Sequence, residues 1–147
     1  MLKKIYNKLS IIIRDKYIEY KIKKISSEKD RFSLIYNSRY WKGFNEGSIS
    51  GAGSDFNSTY NIKIYLDQFI REYKVNSILD IPCGDFYWLS NCDFTNITYI
   101  GADIVDEIII DNKKNHLNKN LKFINLDIVN DKLPDVDLIF IRDCFVH

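Results

Sequence analysis

Four short apolar runs in this chain each end on, or run straight into, an aspartate. Residues 77–81 lead into Pro82-Cys83-Gly84-Asp85 and contain Asp80; residues 98–103 end at Asp103; residues 122–126 are followed by Asp127; residues 137–141 are followed by Arg142-Asp143. One aspartate in such a place is usually a turn former or a helix cap. Four in succession matter if the runs are strands of one parallel sheet, because ligands bind beyond the carboxyl ends of such strands, where the strand order reverses. The acids then share a rim.

The residue types suit a nucleoside carrying a cationic group. A carboxylate at the end of the second strand, Asp103, is placed to accept both hydrogen bonds of a ribose diol. Gly84 lets the turn after the first strand approach a ligand closely. Asp127 can accept from the exocyclic amine of an adenine. A carboxylate near Asp80 or Asp85 suits a cationic amino-acid moiety better than a phosphate. The same turn carries neither GxGxxG nor GxxxxGK followed by Ser or Thr, so it is not built for a pyrophosphate or triphosphate. Cys83 reads as a small residue in a tight turn rather than a reactive thiol. Trp88 and Tyr87 read as packing residues, with a ligand contact open to Trp88.

The elements needed to position these residues are legible. The runs are continuously apolar and alternate with helical stretches, the pattern of a parallel sheet covered on both faces. A helix follows Asn57 or Ser58 as cap, presents Ile62, Leu66, Phe69, Ile70 and Tyr73 on one face, and ends at Lys74; a second spans about 105–118 with Ile108, Ile109 and Leu117 apolar. Residues 127–136 are too few for a helix, but extended they reach about 33 Å. Passing two neighbouring strands needs about 22 Å, so the order 3-2-1-4 is reachable.

Upstream lie two segments of different character. Residues 1–35 read as a basic amphipathic arm, with Leu2, Ile5, Leu9, Ile12, Ile18, Ile22 and Ile25 at helical spacing among lysines. Residues 1–31 hold ten Lys/Arg against four Asp/Glu, a net +6 in a chain whose total is +1. Such a helix either lies on an anionic membrane surface or packs on the domain with its lysines in solvent; the lack of a Trp or Phe wedge favours packing. Residues 36–58 hold four of the six glycines beside Tyr40 and Trp41, and read either as an ordered lid or as a linker.

Composition narrows the classes. With 147 residues, 46% of them hydrophobic, the chain suits one domain with a real core. A net charge of +1 gives no nucleic-acid signal. Three cysteines and two histidines form no CxxC pair and no metal-ligand spacing, which points to free thiols in a reducing cytoplasm and no metal site. The longest early apolar run is far too short for a signal peptide or a membrane span.

Taken in order, these motifs resemble class I S-adenosylmethionine-dependent methyltransferases. Asp80-Ile81-Pro82-Cys83-Gly84-Asp85 is similar to their first motif, an acidic residue followed by xGxGxG; Asp103 matches the acid ending their second strand, Asn125-Leu126-Asp127 their third-strand motif, and residues 138–143 their fourth strand and its loop. Tyr40-Trp41 and Gly51-Ala52-Gly53-Ser54 further resemble a bacterial subgroup associated with surface-polysaccharide synthesis. The resemblance covers about residues 36–147. It implies a Rossmann-like parallel sheet and S-adenosyl-L-methionine as cofactor. It implies a small-molecule or glycan acceptor, and cofactor contacts from Tyr40, Trp41, Gly51, Gly53, Ser54, Asp80, Pro82, Cys83, Gly84, Asp85, Asp103, Ile104, Asp127, Ile128 and Arg142. Arg142, Asp143 and His147 lie nearest the transferred methyl, and His147 is a candidate general base. Pro82 stands where the family has its first glycine and Phe86 where it has its third, so ligand binding is expected to lean on Gly84, neighbouring amides and the carboxylates. The family sheet has three more strands, so the chain is expected to be a truncated, cofactor-binding half whose fourth strand is an exposed edge. The competing readings are a non-catalytic fragment, a membrane-surface binding protein and a nicotinamide-dependent oxidoreductase.

Overall fold

A computed structural model describes residues 2–42 and 47–144. Its elements are α1 (Leu2–Ile22), α2 (Glu28–Asn37), α3 (Phe56–Tyr73), β1 (Ser77–Asp80), β2 (Thr98–Asp103), α4 (Asp106–Asn115), β3 (Leu121–Asn125) and β4 (Leu138–Phe140), with single 3₁₀ turns at Ala52–Ser54 and Leu89–Asn91. The four strands form one all-parallel sheet in the order β3-β2-β1-β4. This is an α/β, Rossmann-like arrangement, and its strand order is the one that the length of the β3–β4 connection allows.

The register explains how the acids meet. Asp80 pairs with Gly101 on one side and Phe140 on the other, and Asp103 pairs with Asn125. Alternation along the strands then splits the core in two. Ile78, Tyr99 and Phe123 point to one face, where they join Phe86 and Phe94 in an aromatic cluster. Leu79 and Ala102 point to the other, with Ile81 and Leu126.

Several boundaries and faces differ from the sequence expectation. α3 begins two or three residues early, with Asp55 as its N-cap instead of Asn57 or Ser58. Of its expected apolar face, Leu66 is buried and Ile62 and Ile70 pack on the core, but Phe69 and Tyr73 are exposed and stack on each other. α4 ends at Asn115, which leaves Leu117 in solvent.

The basic arm is two helices, and only the first resembles an arm. α2 starts at Ser27, whose Oγ accepts from the Asp30 amide at 3.3 Å. It buries Ile35 and packs Phe32 and Tyr36 against the aromatic side of the core. The domain therefore starts before residue 36. In α1 the expected stripe divides: Ile18 is buried and Ile22 half-buried, whereas Leu9 and Ile12 are exposed.

Gly101 tests the packing of the aromatic face. A Cβ there would lie 2.7 Å from the Phe123 ring and 3.0 Å from that of Tyr99, inside a cluster with no slack. Gly101→Ala should therefore lower the unfolding free energy by about 1–3 kcal/mol through overpacking, read as a shift in the urea midpoint at constant slope.

Candidate functional site

A cavity of about 690 Å³ opens beyond the carboxyl ends of β1 and β2, roofed by α2 and by the segment before α3. Asp80, Asp103, Gly84, Ile104, Ile128 and Arg142 all border it, as do Pro82, Cys83, Trp41, Gly51, Gly53, Ser54, Asp127 and Asp143.

The two strand-end carboxylates are its chemical centre. Asp103 is 5% exposed and accepts from the Val105 amide on one oxygen and the Gly84 amide on the other, each at 3.1 Å. Burial pushes its pKa up to about 6 against the pull of those amides. Asp80 is 3% exposed and accepts from the Tyr99 hydroxyl at 2.6 Å. Burial, with the Asp103 charge behind it, carries Asp80 up to about 7, opposed by the Tyr99 hydrogen bond and by Arg142. Neither carboxylate has an ion-pair partner among the described residues, so both retain capacity for donors or a cation from a ligand.

The turn after β1 spends its amides on the protein. Cys83 N donates to Ala102 O at 2.8 Å, Gly84 N to Asp103, and Asp85 N to Ser50 Oγ at 2.9 Å. The expectation that these amides would hold the ligand is thus corrected: they brace the turn against β2 and against the upstream segment. Gly84 takes φ +54, and a Cβ on it would run into Ser50 Oγ. Phe86 also sits in the left-handed region, at φ +55, and its buried ring in the aromatic cluster holds it there.

Asp85 does not border the cavity. Its carboxylate accepts from Ser48 Oγ, Ser50 Oγ and the amides of Ile49 and Tyr87. It is the bolt of the wall. Residues 47–55 are accordingly an ordered segment and not a linker. Arg142 fastens the same segment from the end of β4: both terminal nitrogens donate to Gly53 O at 3.0 Å, one also to Ser54 Oγ, and the guanidinium lies over the Trp88 ring.

Other expected residues are placed differently. Asp127 borders the cavity, but its oxygens accept from Val129 N and Asn130 Nδ2 in its own exposed turn, and these bonds hold its pKa below the ordinary range. Tyr40 lies away from the cavity, its amide closing α2 on Ile35 O. Asp143 is exposed and pairs with Arg142 at 3.0 Å. Cys83 is buried, and burial drives its thiol pKa up, away from the thiolate form. His147 lies outside the described residues.

Two contributions escaped the sequence reading. Glu28, Phe32 and Tyr36 of α2 border the cavity; the signal was Ser27 three residues before Asp30, followed by Phe32, Ile35 and Tyr36 at helical spacing. Asn112 is buried and its Nδ2 donates to Gly84 O at 2.8 Å. Its signal was a polar residue on the inward face set by Ile108 and Ile109. No protein-family model, curated protein or solved structure matches the chain.

Two outcomes follow. Folded-state pKa values raised above the ordinary carboxylate value mean that the fold gains stability as protons bind, so the melting temperature should rise as pH is lowered from 8 through about 7 and 6 towards 4. Asp80→Asn should flatten the upper part of that rise. Separately, Asp85→Ala should release residues 47–54, making them a site of rapid limited proteolysis that the parent chain lacks.

Proposed function

We propose that the cavity binds S-adenosylmethionine and that the chain serves methyl transfer from it. The observation that carries this reading is a pair of buried carboxylates, Asp80 and Asp103, beside a turn whose amides are already paired. Such a site offers acceptors and negative charge and few free donors. It suits a neutral diol attached to a cation, and opposes a phosphate, which needs free N–H groups.

The residues present fit that group. Asp103, at the end of β2 and on the cavity wall, would accept from a ribose diol in a charge-assisted pair. Asp80, whose burial raises its proton affinity, gains most from a positive charge near it. Ile104 and Ile128 supply an apolar wall for a flat base. The cofactor, when bound, supplies an activated methyl on a sulfonium, so the protein's work is to align, desolvate and exclude water. Residues 47–55, fastened at Asp85 and Arg142, provide the wall that does the excluding.

S-adenosylmethionine and its demethylated product should each raise the melting temperature, whereas a nicotinamide dinucleotide should not. Asp103→Ala should remove the shift, a loss of about 1.5–3 kcal/mol for a buried charged acceptor. Calorimetric titration of both forms checks it. An unchanged affinity in the variant, or a response to the dinucleotide alone, would overturn the assignment.

A further inference from the structure

α1 has two apolar faces, and the fold uses one. Ile18 is buried, and Ile11, Arg14, Asp15 and Ile22 are half-buried on the same side, where α1 meets α2. On the opposite side Tyr6, Leu9, Ile13, Tyr17 and Tyr20 recur at intervals of three and four residues, each more than half exposed. At 3.6 residues per turn these positions form one continuous stripe. Lys16 and Lys23 flank one edge. Lys21 and Lys24 lie over the Tyr17 and Tyr20 rings, at 4.9 and 4.3 Å from their centroids. The two acids of the helix are away from the stripe and already paired, Asp15 with Arg14 and Glu19 with Lys23.

We propose that this outward face of α1 docks on an anionic lipid surface, with the stripe entering the headgroup boundary and the lysines meeting lipid phosphates. The charge selects the partner. The helix carries six Lys/Arg against two Asp/Glu, so pairing it with a second copy would set two cationic helices side by side, whereas an anionic bilayer neutralises them. Tyrosine suits the location, because its ring is apolar and its hydroxyl stays hydrated at the interface. No described helix is long and apolar enough to cross a membrane, so α1 lies on the surface. α2, on which α1 packs, forms part of the cavity wall, so docking holds the cavity close to the bilayer. The inference is independent of the cavity's ligand.

The experiment is flotation of the full chain with phosphatidylcholine vesicles, with and without phosphatidylglycerol, at low and high salt. The chain should float with the anionic vesicles only, and less as salt rises. Leu9→Glu with Ile13→Glu, and separately Lys16→Glu with Lys21→Glu, should each weaken partition by roughly tenfold or more. No flotation with anionic vesicles, equal flotation with neutral ones, or insensitivity to salt would overturn the proposal. Those three arms use the unaltered chain and so do not depend on how the variants fold. A dimer in analytical ultracentrifugation that Leu9→Glu with Ile13→Glu disperses, without flotation, would overturn it in favour of an interface between copies.

Discussion

The Asp85 carboxylate joins two stretches of chain more than thirty residues apart, and the shape of the cavity depends on that junction. It takes the hydroxyls of Ser48 and Ser50 and the amides of Ile49 and Tyr87. Ser50 returns a bond by accepting from the Asp85 amide. Hydrogen bonds to a charged group contribute about 1.5–3 kcal/mol each, though such a network is not additive. Closing the intervening loop costs only a few kcal/mol, since that cost grows slowly with length. The close approach also dictates Gly84: with Ser50 where Asp85 puts it, no side chain fits at that turn.

Fixing the turn in this way decides the electrostatics of the site. Once Cys83 N, Gly84 N and Asp85 N are committed internally, the rim presents carboxylates with little compensating donor density. Arg142 borders the same cavity, but its guanidinium is spent on Gly53 O, Ser54 and Asp143. Asp80 and Asp103 are consequently desolvated without neutralisation, which is the physical origin of their raised pKa values. A carboxylate held this way costs the fold stability at neutral pH, a cost that hydrogen-bond donors or a cation from a bound ligand would offset.

The strands were legible because a sheet buried on both faces leaves continuous apolar runs; the length of the β3–β4 connection showed only that the observed order can be reached. What the sequence could not convey was direction. Asp80, Asp85, Asp103 and Asp127 look equivalent as letters at strand ends, yet Asp85 points back to Ser48 and Asp127 into its own turn. Only the register and the turn geometry separate those roles. α2 was missed for a different reason: its lysine-rich flanks continue the composition of α1, so the boundary at Ser27 is carried by a cap and not by a change in residue type. The same continuity concealed that Leu9 lies on the opposite side of α1 from Ile18.

The cavity walls are restrained by different physics. The strand rim is set by parallel ladders and by the partly buried hydrogen bonds of Asp85 and Asn112. α2 is set by Ile35, Phe32 and Tyr36 in the core. Its outer contacts are surface ones: Lys29 with Asp106, the Tyr36 hydroxyl with Asp111, and Asn37 Nδ2 with Glu107. Exposed pairs of this kind add little holding energy and are screened by ions. α2 is therefore held mainly by its apolar anchors, and it is also the helix on which α1 rests. A force applied to α1 from outside would therefore reach the cavity through α2 and its apolar anchors, and not through the strand rim that carries the carboxylates.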